Sequence, residues 1–189
     1  MSHTPAEDYA QSPVKDWLIK GAPDPQLVNP NWEETNQTKI RGVEVQTVKH
    51  VVTNNGFLTE IFRGDWGLEN RKIDQVFVRH LESGAVSAWH AHAATTDRLF
   101  CISGRVLIVL YDGRSNSDTA RTLMQLRVGL ERPSLVVVPS GVWHGIKNIS
   151  SQPAILLNAV DQAYAYEAPD HWRIPANDLQ IPFDFRTVG

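Results

Sequence analysis

Three histidines and one aspartate carry the spacing from which chemistry can be read. In GAVSAWHAHAATTDRLFCISG, residues 84–104, His90 and His92 lie two apart, Asp97 follows after four residues, and Gly84 and Gly104 bracket the run. A third histidine, His144, sits in PSGVWHGIKN. Residues two apart on a strand point to one face, so His90 and His92 enter the same side of a sheet. Asp97 follows a short turn and is expected to face them from the adjoining strand. His144 follows a Pro-x-Gly turn, and another strand is expected to bring it opposite. Two chemistries use such a set. Three imidazoles and a carboxylate are ligands for divalent iron, manganese, nickel or zinc. An imidazole with a pKa near the working pH is also a general base. His90 cannot be metal ligand and free base at once. A plain structural reading, in which these are hydrogen-bonded core or rim histidines, stays open beside both.

The elements that must position these residues are strands. From about Gly42 onward the chain is a series of short β-rich runs, VEVQTVKHVV, FLTEIF, QVFVRHLE, RLFCI, RVLIVLY, SLVVVP and AILLNAV, separated by Gly, Pro, Asn or Asp. Strands at intervals of roughly 8–12 residues, without long helical patterns, predict a sandwich or barrel. In QVFVRHLE, Val76, Val78 and His80 share one face, which the apolar-in rule turns toward the core. Residues 1–35 are rich in proline and polar residues and form a separate arm, with a short amphipathic stretch at VKDWLIKG; residues 36–189 form one domain. The tail after residue 163 holds several prolines and is expected to be irregular, with a brief helical turn, aromatic anchors and an exposed His171.

The totals set bounds. With 18 Lys and Arg against 21 Asp and Glu, the net charge of −3 argues against nucleic acid as a partner. The longest apolar run, VLIVLY, is far too short to span a bilayer. MSHTPAEDYAQSP has neither a basic n-region nor an apolar h-region, so no secretory signal is expected. The single cysteine, Cys101, cannot form an internal disulfide and reads as a buried thiol in a reducing compartment, so a cytoplasmic location is expected.

The two histidine motifs resemble those of the cupin superfamily: Gly84, His90, His92, Asp97 and Gly104 for the first, and Pro139, Gly141, His144 and Asn148 for the second. Asp97 stands where that family usually has Glu, and Pro133 replaces a glycine. The resemblance implies an all-β cupin jelly-roll barrel, with a Pro-rich N-terminal arm and a short C-terminal tail. A narrower resemblance, from Gly42 to Phe185, is to the dTDP-4-dehydrorhamnose 3,5-epimerases: GFLTEIF, LYDGRSNSDT, VPSGVWHGI, YAYEAPD and IPFDF follow that family's patterns. It implies a nucleotide-sugar epimerase or isomerase without a cofactor, acting on a small-molecule substrate as a homodimer with the arm crossing the two-fold. WHAHAATTDRLFCISGRVLIVLYDGR is also similar to the dTDP-sugar 3,4-ketoisomerases, in which paired histidines move protons without a metal.

Under this resemblance His90 falls at the catalytic base, Arg98 near the family's lysine, and Asn158 near its acid tyrosine, with Tyr164 and Tyr166 as alternative acids. Arg98 or His144 would stabilise the enolate. Glu60, Trp89, Arg114 and Trp143 are candidate substrate contacts. The Arg-Gly before the family's histidine is replaced by Ala88-Trp89, and a phosphate-contacting arginine by Asn55, which removes bidentate phosphate contacts. The C-terminal aspartate that pairs with the family's histidine is expected to have no counterpart. The alternatives are a metal-dependent cupin, a dioxygenase or isomerase using His90, His92, Asp97 and His144 as ligands, and a non-catalytic cupin that binds a small ligand.

Overall fold

The computed structural model describes residues 38–69 and 72–188, together with Leu18, residues 25–32 and Glu34. Apart from Leu18, the amphipathic VKDWLIKG stretch lies outside the described residues. The chain divides into two units, residues 1–37 and 38–189. In the first, the described residues include a single bridge between Val28 and Glu34.

Among the described residues the second unit holds twelve strands: β1 (Glu44–Thr47), β2 (His50–Thr53), β3 (Gly56–Thr59), β4 (Gln75–Leu81), β5 (Val86–Ala91), β6 (Asp97–Ser103), β7 (Arg105–Asp112), β8 (Leu123–Gly129), β9 (Ser134–Val138), β10 (Val142–Asn148), β11 (Ala154–Val160) and β12 (Trp172–Arg173). They form two five-stranded sheets, ordered β1-β9-β6-β11-β4 and β12-β5-β10-β7-β8, and a separate β2-β3 hairpin. Every pairing is antiparallel. This is the expected jelly roll. Among the described residues no helix is long and apolar enough to cross a membrane.

The core between the sheets follows from alternation. Val106, Ile108 and Leu110 of β7, Met124, Leu126 and Val128 of β8, and Leu99 and Cys101 of β6 point inward together. β7 is apolar on its other face too, because that face is also covered. Leu107 and Val109 lie with Trp89 beneath Ile181 and Phe185 of the C-terminal tail, which ends in a 3-10 turn at Phe185–Thr187. A strand buried on both faces reads as a continuous apolar run, and VLIVLY is one. On the first sheet, Phe100, Leu135 and Val137 are covered in the same way by Leu68, Ile61, Phe62 and Trp66.

Two glycines are required by close approach. Gly104, in the β6–β7 turn, has φ +80°, and a Cβ there would lie 2.9 Å from the Cβ of Ala154. At Gly145 a side chain would meet Phe185 at 2.6 Å and Ala88 at 2.7 Å, so its absence lets the tail seat on β10.

β4 departs from the expectation. Its outward residues Val76, Val78 and His80 are 55%, 62% and 57% exposed. Gln75, Phe77 and Arg79 point inward, into a cavity and not into packed core. The apolar-in rule inverts here because this end of the sandwich is hollow. The β2–β3 hairpin is also apolar and exposed at Val51, Val52, Phe57 and Leu58.

Candidate functional site

A cavity of about 200 Å³ lies between the two sheets, at the end where β4, β5, β10 and β11 meet the C-terminal tail. His90, His92, His144 and His171 all line it, together with Asp97 and Asn158. β5 and β10 pair so that His90 and His144 stand directly opposite. Their ring centroids are 5.9 Å apart. Asp97 begins β6, in the other sheet, so it faces the histidines across the sandwich; it is 2% exposed.

Asp97 is held by three groups. Its Oδ1 accepts from Asn158 Nδ2 at 2.6 Å, and its Oδ2 lies 3.2 Å from His92 Nε2 and 3.7 Å from His144 Nε2. Burial alone would raise its pKa, but His144, His92 and Asn158 outweigh that and bring it down to about 2. His92 faces acceptors at both nitrogens: Asp97 on Nε2, and the carbonyl of Asp170 on Nδ1. Only the doubly protonated ring can donate to both. Burial opposes that charge, but the contacts with Asp97 and Asp170 prevail and its pKa is raised. His144 is pressed the other way by burial, with its Nδ1 3.4 Å from the carbonyl of Val142.

Among the described residues no carboxylate pairs with His90. Its Nε2 lies 2.9 Å from Ser87 Oγ and its Nδ1 3.2 Å from His171 Nε2. Burial, then the charges of His144, Arg173, His171 and Arg79, push its pKa down to about 3, so the ring is neutral.

His171 is a cavity residue that the sequence reading missed. It is part-buried instead of exposed, and it occupies the place beside His90 where a partner was expected to be absent. Asp170 fixes it there. The Asp170 carboxylate accepts from the backbone N–H of Ala93, Ala94 and Thr95 at 2.7, 2.8 and 2.9 Å, and from Thr95 Oγ1 at 3.0 Å. β12 then pairs Trp172 and Arg173 with Ala91 and His90. The one sequence signal was Pro-Asp-His, an acid able to tie down the turn after His92.

Other expected site residues fall elsewhere. Arg98 follows Asp97 on β6 and so turns away from the cavity; it is fully buried. Trp89 is fully buried on the outer face of its sheet, with its ring 5.1 Å from Phe185. Arg114 and Trp143 line a separate cleft with Tyr111 and Ile181, and Arg114 is bound to Asp112 at 2.8 Å. Glu60 is exposed and pairs with Arg63. Tyr164 lines the cavity mouth, whereas Tyr166 stacks edge-on against it, is 83% exposed and does not line the cavity. Arg79, not singled out in the sequence, does line it.

A jelly roll with paired histidine motifs facing a cavity between its sheets is a cupin. Among solved structures, a dTDP sugar isomerase from Desulfovibrio desulfuricans G20 matches with a TM-score of 0.74 at 23% identity, over 79% of this chain and 94% of that one. A dTDP-4-dehydrorhamnose 3,5-epimerase from Elizabethkingia anophelis matches with a TM-score of 0.69 at 21% identity, over 80% of this chain and 85% of that one. In sequence, the chain is 33% identical over 147 residues to a probable low-salt glycan biosynthesis epimerase of Haloferax volcanii, Agl13, covering 77% of this chain and 94% of the relative. It is 30% identical over 148 residues to the spore coat polysaccharide biosynthesis protein SpsL of Bacillus subtilis, covering 78% and 97%. The sequence pattern described as dTDP-4-dehydrorhamnose 3,5-epimerase matches residues 37–188. The chain belongs to that family.

Proposed function

We propose that this protein epimerises or isomerises a keto sugar carried on a nucleoside diphosphate, with His90 as the base. The supporting observation is His90 itself: a neutral imidazole in the cavity wall, opposite His144 and oriented at both nitrogens by Ser87 and His171. The sugar's carbonyl acidifies the neighbouring C–H. His90 takes that proton at Nε2, which gives up its contact with the Ser87 hydroxyl to the substrate while Nδ1 stays on His171, and the C–H electron pair passes into an enolate. His144, across the strand pair, is placed to receive the charge growing on the enolate oxygen. Return of a proton to the opposite face inverts the carbon, and Tyr164 at the cavity mouth is the donor this reading assigns. No cofactor enters these steps. Relatives of known structure were solved with dTDP-quinovose and dTDP-4-keto-L-rhamnose, which makes dTDP-4-keto-6-deoxy sugars the first substrates to try.

A second reading rests on His92, Asp97 and His144, whose ligand atoms lie within 4.8 Å of one another. Each histidine has its Nδ1 on a backbone carbonyl, the second-sphere contact that metal-bound imidazoles make. These three residues fit a divalent transition metal, which would supply Lewis acidity toward a carbonyl oxygen. His90 lies outside that trio.

One experiment tests both. A dTDP-4-keto-6-deoxy sugar is incubated with the protein in D₂O, and loss of the C–H signals beside the carbonyl is followed by NMR, with and without a chelator. The expected result is exchange that survives chelation and falls by about 10²–10⁴-fold in His90→Asn. Exchange abolished by chelation would favour the metal reading. Unchanged exchange in His90→Asn would overturn His90 as base. A protein that binds the sugar nucleotide without exchange would be a ligand-binding cupin.

We further propose a homodimer. β4 is an edge strand with an exposed apolar outer face, and the β2–β3 hairpin is apolar and exposed as well. Patches of this kind mark surfaces that associate.

A further inference from the structure

Among the residues lining the histidine cavity, Arg79 is the one arginine or lysine. It points inward from β4 between Phe77 and Leu81, opposite Leu156 of β11. Among the described residues it makes no hydrogen bond and no ion pair. The other arginines near the site are differently disposed: Arg98 turns away from the cavity, Arg114 is held by Asp112, and Arg173, opposite His90 on β12, is exposed and does not line the cavity. The two carboxylates in the same cavity are already taken: Asp97 by His92, His144 and Asn158, and Asp170 by the backbone N–H groups of residues 93–95 and the Thr95 hydroxyl. A part-buried guanidinium beside apolar walls, with its fork open to a ligand cavity, is a site for an anion. Its planar pair of N–H donors suits phosphate oxygens.

We propose that Arg79 holds the diphosphate of the nucleotide-sugar substrate. The inference rests on the nucleotide-sugar reading above and adds the residue that anchors the charge. Arg79 acts from β4, whereas the two positions at which the sequence lacks an expected arginine, Asn55 and Ala88-Trp89, lie on the β2–β3 hairpin and β5. A diphosphate contact is made equally before and during proton transfer, so it strengthens binding without speeding the chemical step. A contact to the enolate oxygen would do the reverse.

The test is calorimetric titration of the full-length protein with dTDP and with inorganic pyrophosphate, repeated for Arg79→Ala and Arg79→Lys, with kcat and KM measured for each. Expected is binding of both ligands by the wild type and at least about a tenfold loss in Arg79→Ala. An intermediate loss is expected in Arg79→Lys, which keeps the charge but not the fork. KM should rise while kcat stays within about threefold. Equal dTDP affinity in wild type and Arg79→Ala would overturn the proposal and leave the nucleotide reading standing. A fall in kcat at unchanged KM would overturn it too, moving Arg79 to the reacting carbon. A wild type that binds no nucleoside diphosphate would overturn both readings. Arg79→Lys, which keeps size and charge, covers the case in which the alanine variant does not fold.

Discussion

In the proposed mechanism His90 is a base with no carboxylate paired to it among the described residues. A carboxylate partner would stabilise the imidazolium that forms when the proton is taken; His171 orients the ring without supplying that charge. If orientation is its role, His171→Ala should lower kcat by about tenfold or more with little change in KM, because the base is displaced and binding is not. His171→Asp should restore kcat at least in part. An equal rise in KM at constant kcat would instead make His171 a binding residue. Steady-state kinetics of the two variants decide it. The part of this constellation that could be read from sequence is the part written in strand periodicity. His90 and His92 share a face because they are two apart, and Asp97 and His144 were placed by the turns before them. His171 and Arg79 were not readable in that way. The first lies in a Pro-rich tail with no period. The second lies on a strand whose two valines, Val76 and Val78, point outward, so the usual inference sends the face that carries Gln75 and Arg79 to solvent.

At the scale of elements, turns are fastened by buried carboxylates. Asp112, at the end of β7, is 1% exposed. It accepts hydrogen bonds from Arg114 and from the hydroxyls of Ser117 and Thr119 at 2.6 and 2.7 Å. Burial would raise its pKa, but these partners hold it well below the usual carboxylate range. The folded-state value is depressed, so the stabilisation is complete above the unfolded value of about 4 and is lost as the pH falls through the folded one. Asp112→Ala should cost roughly 3–5 kcal/mol at neutral pH, since it leaves Arg114 without its buried partner. Below about pH 4 the melting temperature of Asp112→Asn should depend less on pH than that of the wild type, which calorimetry can follow. The β6–β7 hairpin, β9 and β11 were plain in the sequence as apolar runs between turn residues. β8 was overlooked although LMQLRVG alternates cleanly, with Gln125 and Arg127 out and Met124, Leu126 and Val128 in. β4 was found as a strand but turned the wrong way, because period two fixes which residues share a face and not which face is buried.

For the whole molecule, coverage is uneven. The outer face of the second sheet is sealed by the tail, and that of the first by Leu68, Ile61, Phe62 and Trp66, up to but not including β4. Apolar residues left uncovered on β4 and the hairpin, Val76 and Val78 on the first and Val51, Val52, Phe57 and Leu58 on the second, are 53–83% exposed. Light scattering coupled to size-exclusion chromatography is therefore expected to give twice the 21.2 kDa chain mass. Val78→Glu should shift the population toward the single chain without lowering the melting temperature of the fold itself. A wild type that stays monomeric at high micromolar concentration would remove this interface.

The clamp of Asp170 on residues 93–95 also fixes an order of events. β5, β6, β10 and β11 all precede the tail, so three of the four cavity histidines stand on or beside strands that pair without it, whereas His171 reaches the cavity only when residues 170–173 fold back onto β5. Assembly of the barrel and completion of the site are then separable steps, and the second waits for residues 170–173 to fold back.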